Sequence, residues 1–129
     1  MRTIGIGVDI IENKRIKLLL KNKNFINKTF GKKEIQISKK KINKVNYFAK
    51  RFAAKESLAK SVGTGFRDGL NFKDIQVLNN NLGKPYYLLD KKTKILINKK
   101  KKTKKFDLFL SISDEKEYSI AFTIIQSTK

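Results

Sequence analysis

The chain has 129 residues, 31 Lys+Arg against 11 Asp+Glu for a formal charge of +20, and neither Cys nor His. That excludes disulfides, thiolate nucleophiles and Cys-based zinc sites, along with the imidazole that most often serves as general base and transition-metal ligand. At 40% apolar residues, the length suits a single domain spanning 1–129 with a real core, and any catalysis must run on carboxylates, lysines, hydroxyls, backbone or a bound ion.

Residues 3–11 alternate with the period of a half-buried strand. Ile4, Ile6, Val8 and Ile10 face one way, and Gly5, Gly7, Asp9 and Ile11 the other. Two glycines and a carboxylate on one strand face are unusual unless something approaches closely. Residues 12–21 read as a helix with Ile16, Leu19 and Leu20 inward. A short segment from Phe25 to Phe30 follows, Gly31 breaks it, and 32–38 can begin another short helix. From Ile42 to Lys60 the helical pattern is strong, with Val45, Phe48, Ala49, Phe52, Ala53 and Ala59 on one stripe. It should stop near Gly63, where Gly63-Thr64-Gly65 needs permissive backbone.

The second half reads as mostly β. Phe72–Leu78 and Tyr86–Leu89 are strands around the turn-forming stretch Asn79–Pro85. Residues 91–105 hold a short helix and then a solvated loop with the run Lys99–Lys102, and Phe106–Ser113 and Tyr118–Ile125 form a hairpin. The expected class is α+β: a largely antiparallel sheet with a long helix and shorter helices packed on one face.

Several polar groups sit in strict local contexts. Asp9 shares a strand face with Gly5 and Gly7, so an anion could approach backbone and carboxylate together; equally, it could end the strand and cap the following helix. Glu56 lies one turn from Phe52 and one from Lys60, on the apolar stripe, where a carboxylate is costly unless paired or bound to a cation. A weak helical salt bridge to Lys60 is the plainer reading. Ser111 and Ser113 share a face at a strand end, and Gly83-Lys84-Pro85 makes a tight turn whose lysine could meet a phosphate. Taken alone, both are ordinary turn chemistry.

The net charge should draw polyanions such as nucleic acid, phosphorylated cofactors or an acidic protein. Arg occupies only positions 2, 15, 51 and 67, so the excess is almost all Lys, as an AT-rich genome would produce. A nucleic-acid reader would be expected to keep more Arg, and to interleave Lys with stacking aromatics rather than place most Phe on apolar faces. No apolar run approaches a membrane span and the N-terminus lacks a signal-peptide core, so a cytoplasmic protein without membrane or specific nucleic-acid partners is expected.

In order, GVDIIE at 7–12, RFAAKESLAKSVGTGF at 51–66, FKDIQVLNNNLGKPY at 72–86 and LSISDEKEYSIAF at 110–122 resemble the holo-[acyl-carrier-protein] synthases, the small 4′-phosphopantetheinyl transferases. The resemblance spans nearly the whole chain, and RFAAKE is its most specific part. It implies Mg²⁺-dependent transfer of 4′-phosphopantetheine from coenzyme A to a serine of apo acyl carrier protein, releasing adenosine 3′,5′-bisphosphate in support of fatty acid biosynthesis. By position, Asp9 and Glu56 match the family's magnesium ligands, and Lys60 the lysine at the phosphate oxygens. Arg51, Gly63, Gly83, Lys84, Pro85 and Ser111 match positions lining the coenzyme A site. Lys14 and Arg15 fall where the first helix meets the acidic carrier. The resemblance further implies a homotrimer with active sites between subunits. One departure stands out: relatives commonly carry His where this chain has Asp114, and a carboxylate there repels phosphate unless it is paired or turned away.

Overall fold

A strand with glycines on its inward face lets a helix lie against it backbone to backbone, and that contact organises the molecule. The computed structural model describes residues 1–66 and 69–128. Strand β1 (Arg2–Glu12) packs on the long helix α4 (Lys44–Val62). A Cβ on Gly7 would run into the Ser57 carbonyl oxygen, and one on Gly5 into that of Ser61. What approaches this glycine face is therefore the helix itself, not an anion.

Between β1 and α4 come α1 (Asn13–Leu19), α2 (Lys23–Thr29) and α3 (Lys32–Ser38). After α4 follow β2 (Ile75–Asn79), β3 (Pro85–Leu89), α5 (Lys91–Lys100), β4 (Lys105–Asp114) and β5 (Tyr118–Thr128). Among the described residues, β1, β5 and β4 form one antiparallel sheet in that order, and β2 with β3 forms a second. This is the expected α+β arrangement.

Helix α4 is buried on most of its circumference because it touches both sheets and the small helices. Its start is capped by Asn43, whose side chain accepts from the Asn46 N–H at 3.0 Å. It ends at Gly63 in the left-handed region (φ 98°), the conformation glycine supplies without strain. Phe48, Phe52 and Ala53 face the core with Phe30, Ile16 and Ala121. Further along, Leu58 and Val62 meet Ile75, Ile97 and Ile125.

The opposite face of the three-stranded sheet is uncovered. Ile6, Val8 and Ile10 are 61%, 54% and 60% exposed, and beside them stand Phe109, Ile120 and Phe122. From Gly5 to Ile11 the strand alternation is as expected, with its apolar side open and its glycine side in the core. The register shifts between Thr3 and Gly5, and Ile4 packs against the cluster of Leu58 and Val62 instead.

Two boundaries differ from expectation. Phe72–Asp74 is a 3₁₀ turn rather than strand, because the Lys55 ammonium draws in the Phe72 carbonyl at 2.9 Å and also the Ile75 carbonyl. The lysine run begins inside α5, which continues to Lys100 before turning at Lys102 (φ 52°).

Candidate active site

Asp9 stands on the α4 side of β1, which brings it to the helix turn carrying Glu56 and Lys60. Lys60 Nζ donates to Asp9 Oδ1 at 3.0 Å and to the Val8 carbonyl at 3.1 Å. Both plainer readings fail here. Strand β1 runs on to Glu12, which sits at the N-cap of α1, so Asp9 caps nothing. Lys60 pairs across elements with Asp9 rather than along the helix with Glu56.

Glu56 is half-buried. Burial first and then the Asp9 carboxylate raise its pKa, while Lys60 and Arg15 draw it down. Two carboxylates that repel one another in a partly desolvated corner are what a divalent cation relieves. Among the described residues no cluster of three His, Cys, Asp or Glu side chains forms. An ion held here keeps most of its coordination for water and substrate oxygens, which suits a small hard cation such as Mg²⁺. The donor set therefore fits.

Arg51 belongs to another face. At 3.6 residues per turn it lies about 140° around α4 from Glu56 and about 180° from Lys60. Its guanidinium carbon sits 3.8 Å from the centre of the Tyr47 ring. Nη1 donates to the Tyr47 carbonyl at 3.3 Å and Nη2 to Asn79 Oδ1. Burial pulls its pKa down. Asn79 Nδ2 in turn donates to the Gly83 carbonyl at 2.9 Å, and Asn80 Oδ1 accepts from the Leu82 and Lys84 N–H groups. This fixes the turn that carries Gly83 and Lys84 ahead of Pro85. A cleft of ≈ 530 Å³ opens between Tyr47, Lys50, Arg51, Asn79 and Gly83.

The remaining predicted residues scatter. Gly63 caps α4 one turn beyond Lys60. Ser111 pairs with Phe122 on the open sheet face, whereas Asp9 lies on the helix side. Arg15 acts on Glu56, but Lys14 faces elsewhere, into a cavity of ≈ 940 Å³ with Lys17, Leu18, Lys21 and Asn46. Asp114 lines that cavity too, and its Oδ2 accepts from Asn46 Nδ2 at 2.7 Å. The carboxylate at the unusual position is thus held by a neutral amide, which leaves its charge in place.

One chain therefore assembles Asp9, Glu56, Lys60 and Arg15, and separately Arg51 with the Gly83 turn. Sequence reasoning missed Tyr47 and Asn79, which hold Arg51, and Lys17 and Lys21, which extend the Lys14 face. The spacings Tyr47–Arg51 and Lys14–Lys17–Lys21 were the available signals. Asn79 had none, because it meets Arg51 only through the fold.

Residues 5–123 match the profile of the 4′-phosphopantetheinyl transferase superfamily. A holo-[acyl-carrier-protein] synthase of Pelagibacter ubique (strain HTCC1062) is 53% identical over 126 residues, covering 98% of each chain. The crystal structure of the holo-[acyl-carrier-protein] synthase from Neisseria meningitidis superposes with a TM-score of 0.87 at 34% identity, covering 97% of this chain and 99% of that one. The holo-(acyl-carrier-protein) synthase of Bacillus anthracis str. Ames, in complex with CoA (3′,5′-ADP), gives 0.83 at 32% identity over 99% and 100% of the two chains. The chain belongs to the 4′-phosphopantetheinyl transferase superfamily, among its holo-[acyl-carrier-protein] synthases.

Proposed function

From that membership, we propose that residues 1–129 act as one transferase domain that moves 4′-phosphopantetheine from coenzyme A to a serine of an apo acyl carrier protein, with Mg²⁺ held by Asp9 and Glu56. The serine Oγ–phosphorus bond forms, the bond to the other phosphate of the pyrophosphate breaks, and adenosine 3′,5′-bisphosphate leaves. The single observation carrying the reading is the convergence of Asp9, Glu56 and Lys60 from two elements, with the Glu56 carboxyl raised by burial and by Asp9.

When bound, Mg²⁺ supplies charge neutralisation on the pyrophosphate and orients it. The chain's own groups do the rest. Lys60 uses two of its three N–H donors on Val8 and Asp9, and its half-exposed side chain has a third for a phosphate oxygen. Arg15 adds positive charge near Glu56. Arg51, Gly83, Lys84 and Pro85 form the other part of the coenzyme A site, together with Ser111 and Gly63. The lysine-lined cavity on α1, with Leu18 exposed among Lys14, Lys17 and Lys21, suits an acidic amphipathic carrier surface.

Two features support a homotrimer with sites between copies. The open sheet face brings the exposed side chains of Ile6, Val8, Ile10, Phe109, Ile120 and Phe122 together, the kind of apolar surface that marks an association site. Arg51 and Ser111 point away from the Asp9–Glu56 corner within one chain, so a complete site needs a neighbour's contribution. No helix among the described residues is long and apolar enough to cross a membrane, and we place the enzyme in the cytoplasm.

The test is transfer of a labelled pantetheine arm from coenzyme A to apo carrier, with and without Mg²⁺. Transfer only with the metal is expected. Absence of transfer with both the cognate and a generic carrier contradicts the reading.

A further inference from the structure

Beneath the Arg51 cleft lies a chain of buried polar contacts that the reaction does not itself use. Glu34 is fully buried, yet its carboxylate accepts from Gly31 N–H at 2.9 Å, Val77 N–H at 3.0 Å and Lys55 Nζ at 2.7 Å. All the donors of Lys55 are spent, on Glu34, Phe72 and Ile75. This locks α3, α4 and β2 together. The Glu34 carbonyl then accepts from the Tyr47 hydroxyl at 2.6 Å, so the Tyr47 ring is fixed at both ends. Against that ring lies the Arg51 guanidinium, 5% exposed at the residue level, with Nη2 on Asn79 and Nε buried without a partner. The ring face and the Asn79 amide together fix the plane of the guanidinium.

We propose that Tyr47 is a positioning residue for the reaction: its ring, anchored on Glu34, clamps the Arg51 guanidinium in the plane that presents it, with Asn79, to the anionic phosphate-bearing part of coenzyme A. The inference rests on the assignment of Arg51 to the coenzyme A half of the site. Tyr47 touches no substrate. It removes the conformational freedom that a long arginine would otherwise lose on binding, and a planar cation stacked on an aromatic face is the arrangement that does so.

The experiment measures KM for coenzyme A, KM for apo carrier and kcat in Tyr47→Leu, Tyr47→Phe, Arg51→Ala and the double variant Tyr47→Leu/Arg51→Ala. Tyr47→Leu should raise KM for coenzyme A roughly thirtyfold, the size of a desolvated cation–π contact, with a smaller change in kcat and none in KM for the carrier. Tyr47→Phe keeps the ring but loses the hydroxyl anchor on Glu34, so its KM should rise by an amount between wild type and Tyr47→Leu. The double variant should be no worse than Arg51→Ala, because both changes remove one interaction. If Tyr47→Leu does not fold, Tyr47→Met carries the same measurement. An unchanged KM for coenzyme A in the folded Tyr47 variant overturns the inference while leaving Arg51 in place. So does additivity in the double variant, or an equal rise in both KM values. An unchanged KM in Arg51→Ala removes the underlying assignment and the inference with it.

Discussion

Helix α4 carries two lysines five residues apart, each paired with a carboxylate from another element, and the two pairs do opposite work. Lys55 and Glu34 are both fully buried, 2.7 Å apart, with all three ammonium donors used and both carboxylate oxygens hydrogen-bonded. Lys60 and Asp9 are 3.0 Å apart with side chains 53% and 14% exposed. Burial pushes the Lys55 ammonium down to about 8 even though Glu34 supports it. The comparison teaches that the presence of an ion pair says little by itself. A buried pair with its donors used is a rivet, whereas a half-open pair with a spare donor and a second carboxylate nearby has the makings of the proposed site.

The largest expected effect breaks the rivet. Lys55→Met strands the Glu34 carboxylate in the core, and unpairing a buried charge costs about 3–5 kcal/mol. Chemical denaturation should show that loss; kcat per folded molecule at saturating coenzyme A should stay close to wild type, while KM for coenzyme A rises because the Glu34 anchor of Tyr47 is loosened. Lys60→Ala should do the reverse. An exposed pair is worth about 0–1 kcal/mol, so denaturation barely changes, whereas loss of a charge-stabilising donor should slow transfer by about 10²–10³-fold. A variant that is strongly destabilised but equally active would move Lys60 into the structural class.

Smaller effects sharpen the same contrast. Gly7→Ala forces a methyl into the Ser57 carbonyl, an overpacking that costs about 1–3 kcal/mol. A lowered Tm with reduced cation affinity is expected, because β1 carries Asp9 away from Glu56. A Tm equal to wild type contradicts the backbone contact between β1 and α4.

The smallest effect is in pH. Glu56 titrates higher in the folded chain than unfolded, because of burial and then Asp9. Between those two values the folded state binds more protons, so this group adds stability as pH falls through the window and withdraws it as pH rises. Protons and cation compete for Glu56, so cation affinity must fall over the same window. Asp9→Asn removes one cause of the raised value and should move the Glu56 titration downward, read by carboxyl NMR. An upward movement would contradict the coupling.

Much of this was legible in the sequence. Strand alternation put Asp9 on the glycine face, and helical spacing put Glu56 in line with Phe52, so the corner could be located from two periodicities. The order of motifs then named the chemistry. What could not be read was which face of β1 is the core. Gly5 and Gly7 look like cleared space for a ligand, yet they are cleared for the α4 backbone, and a helix approaching this closely is a tertiary event. Nor could spacing assign Lys55 and Lys60 their different partners, since Glu34 and Asp9 arrive from distant segments. The same limit hid the pairing of Asp114 with Asn46. The amide orients the Asp114 carboxylate without cancelling its charge.

The central claim is that Asp9 and Glu56 together hold the divalent cation. Its most direct test is Mn²⁺ binding, followed by electron paramagnetic resonance in the presence of coenzyme A, for the wild type, Asp9→Asn and Glu56→Gln. The account predicts one site per chain in the wild type, competed by Mg²⁺, and at least a tenfold loss of affinity in each variant, since even an outer partner of a metal ligand is worth about 10–100-fold. Wild-type affinity in either folded variant would contradict it.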